Sequence, residues 1–194
     1  MGFFEGFLNI DKSMKVVSEL PDFDNNGNIP YAIYDISLCD FKQKFVHEFN
    51  GSETRQNIYD EYVSFSGNLI SYALANIEWI CGSYTTNKKN PGDIDLIIHY
   101  DALKYNDSIE KFDFYDSVLS NHETKIMRCH TFFIPVYPKD DKRYSLTKRH
   151  IKERAKWFTK DRESNKRGMI QMKLDCDDYM GNIKADLGIQ NGCQ

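Results

Sequence analysis

The sequence predicts a single α/β or α+β domain, because helical and strand patterns alternate along the chain. Residues 53–76 have apolar side chains at helical spacing, whereas the short apolar runs at 77–81 and 168–174 are typical of strands. The 194 residues fit one domain, and a hydrophobic content of 41% is sufficient for a packed core. We expect this domain to span residues 1–174, with a C-terminal tail over 175–194 that has no periodicity and is a candidate for partial disorder.

The first predicted feature is a turn at Asn26-Gly27 between short extended segments. Asp22, Asp24 and Asn26 precede the glycine at offsets that also occur in calcium loops. The twelfth position of such a loop would be Ile33, where a bidentate glutamate is needed. A turn is therefore the favoured interpretation.

Two helices are predicted next. Ser37 and Asp40 have the spacing of a capping box before a helix over 39–49, and Ser52 is a suitable cap for a longer helix over 53–76. The longer helix is expected to bury one stripe of side chains, formed by Ile58, Tyr62, Phe65, Leu69, Tyr72 and Ala73.

A pair of strands should follow, over 77–81 and 93–100, with a turn signal at residues 90–92 between them. Residues 101–128 are polar and mixed, and a helix is predicted around 112–121.

The C-terminal third predicts a strand, a helix and a strand. The first strand covers 130–138, where Pro135 indicates an edge, a strand end or a bulge. A basic helix over 146–159 and a last strand over 168–174 complete the domain.

Composition excludes several classes of protein. The net charge of −4 provides no overall attraction to nucleic acid or membranes. The five cysteines are scattered without a C-x-x-C pair, which indicates reduced thiols rather than disulfides or a zinc site. No run approaches the ~18 apolar residues of a membrane span, and no basic leader precedes the first apolar residues. We expect a cytoplasmic protein with no membrane partner.

The stretch between the two central strands contains the candidate chemistry. Side chains at i and i+2 of a strand share a face, so Asp93 and Asp95 should project together. Crowded carboxylates repel unless a cation joins them, and Mg²⁺ in proteins is commonly held by one or two carboxylates with substrate phosphates. Gly82 allows a phosphate to approach backbone N–H groups, and Ser83 adds a hydroxyl donor. This combination predicts a nucleoside triphosphate site with Mg²⁺ or Mn²⁺.

Alternatively, Gly82-Ser83 is a plain turn and the two aspartates are solvated at a strand end. A P-loop is excluded, because the residues after Gly82 lack a second glycine followed by Lys and Ser or Thr.

The segment CGSYTTNKKNPGDIDLII resembles the signature of polymerase-β-type nucleotidyltransferases, in which Gly-Ser is followed after a loop by Asp-x-Asp between apolar residues. The similarity to a family of small bacterial proteins of this type extends over most of residues 20–172. The resemblance implies a polymerase-β-like fold, with a mixed sheet and helices packed behind it. It also implies that Gly82 and Ser83 contact the triphosphate, and that Asp93 and Asp95 are catalytic metal ligands.

The resemblance also implies a third acidic residue on a later strand, and the aligned position here is His130. A neutral imidazole can act as a base, but it suits Mn²⁺ or Zn²⁺ better than Mg²⁺. Three interpretations follow. His130 substitutes functionally, a carboxylate such as Asp101 or Asp113 completes the site, or the chain binds nucleotide without efficient turnover.

The C-terminal helix region is basic and contains the aromatic residues Trp157 and Phe158. One interpretation is a surface for a triphosphate or nucleic acid. The candidates for phosphate contact are Lys152, Arg154 and Lys156. The other interpretation is an amphipathic helix that packs Ile151 and Ala155 on the sheet and turns its charges to water.

The leading hypothesis is a nucleotidyltransferase that transfers a nucleotidyl group to a hydroxyl of a protein, a nucleotide or an RNA end. The alternatives are a catalytically weak nucleotide-sensing or interaction module, and a nucleic-acid-binding protein that uses the basic helix. By family analogy alone, the resemblance implies a toxin–antitoxin module or antiphage defence, with a cognate toxin or effector as partner.

Overall fold

The computed structural model describes residues 14–71, 75–107 and 123–174, which form a seven-stranded mixed sheet with helices on both faces. The elements are β1 (Val16–Val17), β2 (Ile33–Asp35), α1 (Leu38–Lys42), a π-helix (Gln43–His47), α2 (Arg55–Ser71), β3 (Ala75–Cys81), a 3₁₀ turn (Gly82–Thr85), β4 (Ile94–Asp101), α3 (Ala102–Asp107), β5 (Glu123–Ile126), β6 (Cys129–Val136), α4 (Tyr144–Phe158) and β7 (Met169–Lys173). The predicted tail over 175–194 and the predicted helix around 112–121 lie outside the described residues.

The sheet order is β1-β2-β7-β3-β4-β6-β5. The pairs β1–β2, β2–β7 and β4–β6 are parallel, and the pairs β7–β3, β3–β4 and β6–β5 are antiparallel. β7, the last strand within the described residues, therefore lies in the interior of the sheet. This arrangement confirms the mixed α/β class.

Both faces of the central strands are buried, because their side chains alternate between two cores. Ile80 and Ile98 belong to the core under α1 and α2, whereas Trp79 and Ile97 face the core under α4. α4 therefore covers the face of the sheet opposite to the face that α1 and α2 cover. The buried side chains of Ile151, Ala155 and Phe158 confirm that α4 is amphipathic.

The predicted caps are present. The Asp40 N–H donates to Ser37 Oγ at 3.1 Å, and the Ser37 hydroxyl donates to the Asp40 carboxylate at 2.6 Å. Ser52 Oγ accepts from the Arg55 N–H at 3.2 Å. The first helix is shorter than predicted, because the backbone changes from α to π geometry at Gln43.

The buried stripe of α2 is confirmed at Ile58, Tyr62, Phe65 and Leu69. The predicted extension to residue 76 is wrong, because Ala75 already pairs with Tyr100 and begins β3. Tyr72 and Ala73 lie outside the described residues.

Pro135 lies in β6, three residues beyond Phe132, where the described pairing with β5 ends. Its missing N–H therefore removes no bond to the described part of β5, in agreement with the predicted edge or strand-end position. No helix within the three described ranges is long and apolar enough to cross a membrane.

Candidate functional site

Gly82 lies directly under the carboxylate of Asp95. The β3–β4 register pairs Cys81 with Asp95, so the residue after Cys81 faces that side chain. Gly82 has φ +80°, and a Cβ at this position would overlap Asp95 Oδ2. Glycine is required here for two reasons, the left-handed backbone and the close approach of the carboxylate.

Asp93 and Asp95 converge on one cavity, as predicted. Asp93 precedes β4 and Asp95 is its second residue, so the strand begins one residue later than predicted. The pKa of Asp95 is raised, first by burial and then by the charge of Asp93. His130 and Arg167 offset part of this increase. A cation close to Asp95 would therefore stabilise its ionised form.

His130 lies beside Asp95 on the neighbouring strand. The parallel register of β4 and β6 pairs the two residues, and His130 Nδ1 is 3.1 Å from Asp95 Oδ1. When Asp95 is ionised its carboxylate only accepts, so the imidazole Nδ1–H donates this bond. The imidazole of His130, which was predicted as the third member of the site, thus contacts Asp95 directly.

Asp101 does not complete the site. It lies at the opposite end of β4, six residues from Asp95, which is about 20 Å along a strand. Its carboxylate accepts the N–H groups of Leu103 and Lys104 at 3.0 and 3.1 Å and caps α3. The interpretation that Asp101 supplies a metal ligand is therefore wrong, and Asp113 lies outside the described residues.

A lysine contacts the other aspartate. Lys125 Nζ lies 2.8 Å from Asp93 Oδ2, and this hydrogen bond raises the pKa of Lys125. Sequence reasoning missed this contact because β5 is polar and short, and its register with β6 places Lys125 opposite His130.

The cavity around these residues has a volume of about 1010 Å³, which is ample for a nucleotide. Ser83 lines it together with Gly82 and both aspartates, as predicted. Its basic side chains are Lys88, Lys156, Lys160, Arg162 and Arg167. Lys156, a candidate for phosphate contact, thus lines this cavity, whereas the candidate Lys152 lines only a neighbouring cavity of about 410 Å³.

Two loops that sequence reasoning did not assign to the site form its rim. Asp161 accepts from the side-chain amides of Asn165 and Asn28 at 3.0 and 2.9 Å, and these bonds lower its pKa to about 2. Asp161 therefore joins the loop after α4 to the N-terminal turn. That turn is the predicted one, because Asp24 accepts the N–H groups of Asn26 and Asn28 at 2.9 Å.

Arg55 holds the loop between Gly82 and Asp93 in place. Its buried guanidinium donates to the carbonyl oxygens of Tyr84, Thr86 and Lys88 at 2.7–2.8 Å and stacks on the Phe49 ring at 3.6 Å. Burial lowers its pKa to about 10.

Sequence reasoning missed Arg55, although a signal existed. Arg55, Ile58 and Tyr62 share the i, i+3, i+7 spacing, so the arginine lies on the buried stripe of α2. A charged residue on a buried stripe requires partners, and here those partners are loop carbonyls.

A family model described as a family of unknown function, DUF6932, matches residues 21–173. No curated protein matches the chain, and no solved structure does.

Proposed function

The chain belongs to the family of unknown function DUF6932, and from its site geometry we propose that it is a metal-dependent nucleotidyltransferase with a polymerase-β-like fold. Its substrate is a nucleoside triphosphate, and its acceptor is a hydroxyl group of a protein, a nucleotide or an RNA end. The observation that carries the proposal is the carboxylate of Asp95 over the bare backbone of Gly82, in a cavity that also contains Asp93 and several basic side chains.

The donor set fits a hard divalent cation such as Mg²⁺ or Mn²⁺. Asp93 and Asp95 supply carboxylate oxygens, and their crowding favours a bound cation. In the described ranges, no group of three or more His, Cys, Asp or Glu side chains is arranged as a metal site. Phosphate oxygens of the substrate and water would therefore complete the coordination, and the cation would supply charge neutralisation at the phosphates.

The opposite side of the cavity suits the triphosphate. The backbone at Gly82 and the hydroxyl of Ser83 offer neutral donors, and Lys156 and Arg167 offer charged ones. Arg55 holds this loop by donating hydrogen bonds to the loop's carbonyl groups, and it does not itself line the cavity.

In the proposed reaction the acceptor oxygen forms a bond to the α-phosphorus, and the bond from that phosphorus to the bridging oxygen of the β-phosphate breaks. Pyrophosphate leaves with the bonding electron pair. The acceptor hydroxyl loses its proton, and His130 is the candidate base because its ring adjoins Asp95.

The test is incubation with each labelled nucleoside triphosphate and Mg²⁺ or Mn²⁺, followed by measurement of pyrophosphate and of labelled protein or oligonucleotide. Asp93→Asn and Asp95→Asn should each lower turnover about 100-fold or more. Asp140→Asn is the matched control, because Asp140 lies on an exposed turn beyond the other end of β6 and should leave turnover unchanged. Turnover that survives both site substitutions contradicts the proposal.

The second candidate function is a nucleotide sensor without efficient turnover, and it is favoured by His130 at the position of the expected third carboxylate. His130→Gln and His130→Asp together separate the two functions. If His130 is the catalytic base, His130→Gln lowers the turnover of the native protein, because the amide cannot accept the proton. If the native protein only binds nucleotide, it has no turnover to lose, and the new carboxylate of His130→Asp can only add turnover.

The biological setting remains a proposal from the resemblance. It consists of a cytoplasmic toxin–antitoxin or antiphage module with a toxin or effector partner.

A further inference from the structure

Trp157 is an exposed aromatic residue on the wall of the candidate site. It lies in the last turn of α4 and is 60% exposed, although it lines the same cavity as Asp93, Asp95 and His130. An indole offers a large flat apolar surface on which another ring can stack, and tryptophan is enriched at binding interfaces. The buried stripe of α4 does not require it, since Ile151, Ala155 and Phe158 form that stripe.

The indole is supported from below. Its ring meets Phe132 edge to face at 5.8 Å and 70°, and its centroid is 5.2 Å from that of Phe158. The Phe132 ring in turn lies 4.6 Å from the His130 ring. The Phe132 ring therefore lies between the exposed indole of Trp157 and the imidazole of His130. A ring stacked on Trp157 would lie at the edge of the proposed catalytic centre.

Cationic groups accompany the indole. The Arg154 guanidinium lies 5.6 Å from the Trp157 centroid and 4.6 Å from that of Phe132. Lys156, the preceding residue, lines the cavity. A flat aromatic surface next to positive charge suits a ligand that joins a planar ring to phosphates, which is the chemistry of a nucleotide.

We propose that Trp157 is the stacking platform for an unpaired nucleobase at this cavity. The inference rests on the proposed function, because it assumes that the ligand is a nucleotide. The base belongs either to the triphosphate or to the end of a single-stranded acceptor, and both sources present the same π-face to the indole.

The experiment uses the intrinsic fluorescence of the full chain. The chain has two tryptophans, and Trp79 is buried and donates its indole N–H to Gln171 at 3.0 Å. The solvent-exposed, red-shifted emission therefore reports on Trp157. Trp79→Phe is the matched control and should retain all ligand-dependent quenching.

Three kinds of probe are titrated with Mg²⁺ present: each of the four nucleoside triphosphates, inorganic tripolyphosphate, and a short single-stranded RNA. We expect quenching by triphosphates, by the RNA, or by both, and none by tripolyphosphate, which has no base. Quenching by the triphosphates alone shows that the stacked base belongs to the triphosphate substrate. Quenching by the RNA alone shows that it belongs to the acceptor.

Substitutions complete the test, with affinity measured by calorimetry. Trp157→Ala should weaken binding of the quenching ligand about tenfold, and Trp157→Phe should retain most of the affinity. Tripolyphosphate binding should be unchanged in both variants, which also reports that they are folded. A nucleotide that binds by calorimetry, causes no quenching and is insensitive to Trp157→Ala overturns this inference and leaves the proposed function standing. A chain that binds no nucleotide at all overturns both.

Discussion

At the scale of single residues, the candidate site depends on the lack of a side chain at Gly82. Gly82 occupies a left-handed backbone conformation immediately below the carboxylate of Asp95. A methyl group there would overlap that carboxylate and force it to move. The convergence of the two acids therefore requires glycine as much as it requires aspartate.

Gly82→Ala tests this dependence. We expect a loss of about 1 kcal/mol or more in the free energy of unfolding, because an L-residue is strained at this φ. We also expect Mn²⁺ binding to weaken at least tenfold, since Asp95 must move. Urea denaturation and Mn²⁺ titration by electron paramagnetic resonance measure the two effects.

The control is Gly92→Ala. Gly92 also lines the cavity, but a Cβ there would have no neighbour within 4 Å and its φ is not positive. If Gly82→Ala binds Mn²⁺ as tightly as Gly92→Ala, the steric explanation is refuted.

At the scale of elements, the first turn of α2 and the loop after β3 form one unit. Arg55 donates to the carbonyl oxygens of the alternate loop residues Tyr84, Thr86 and Lys88, and the Tyr84 hydroxyl donates to the Arg55 carbonyl at 2.9 Å. The loop is not part of a strand, so its carbonyl oxygens need hydrogen-bond partners outside the sheet, and the Arg55 guanidinium provides them. The helix thus determines the path of the chain between Ser83 and Asp93.

Arg55→Lys should destabilise the protein by about 3 kcal/mol, because an ammonium cannot reach the same set of carbonyl oxygens or stack on Phe49. Nucleotide binding should weaken as well, since the loop loses its anchor. The measurements are urea denaturation and calorimetric titration with a nucleoside triphosphate.

Arg149→Lys, on the exposed face of α4, should change the free energy of unfolding by less than about 0.5 kcal/mol. If Arg55→Lys and Arg149→Lys have equal free energies of unfolding, the contacts of the Arg55 guanidinium contribute no measurable stability.

At the scale of the whole molecule, the two helical layers enclose a sheet with ionisable groups inside it. Glu78 of β3 is fully buried and accepts hydrogen bonds from the hydroxyls of Tyr62 and Ser66 on α2. Burial raises its pKa to about 7, against the lowering effect of these bonds. His99 of β4 is also buried, and its pKa is lowered to about 4.

Glu78→Gln should reveal a pH dependence of stability. Between about pH 4.5 and 7 the unfolded chain loses the Glu78 proton while the folded chain keeps it, so the native protein loses stability as pH rises. The stability of Glu78→Gln relative to the native protein should rise by about 3 kcal/mol across this range and remain constant above it.

Urea denaturation at a series of pH values from 4.5 to 8.5 measures this difference, with the exposed Glu53→Gln as control. His99 acts in the opposite direction, since its buried neutral form costs stability as pH falls from 6.5 to 4, and it cancels in the comparison. A difference that is independent of pH would contradict a protonated Glu78 in the folded protein.

Much of the fold could be predicted from residue spacing. The stripe of α2, the caps at Ser37 and Ser52, and the amphipathic α4 all depend on residues within a few turns of one another. The pairing of the short strands β1, β2 and β5 could not be predicted. Each is too short to show a residue pattern, and its position depends on hydrogen bonds to another strand. The end of α2 was misplaced for the same reason, since pairing with β4 begins β3 early.

Residue order and spacing were enough to identify the local half of the candidate site: a glycine and serine after one strand, and two aspartates at the start of the next. Both sets of side chains lie at the end of one antiparallel pair, and the register that places Cys81 opposite Asp95 brings them together. The resemblance had already indicated His130, and the register of β4 and β6 sets its contact with Asp95. Lys125 against Asp93, and Trp157 and Asp161 on the cavity, were seen only in the tertiary structure. These contacts depend on the order and direction of strands far apart in the chain, which the periodicity of each segment does not encode.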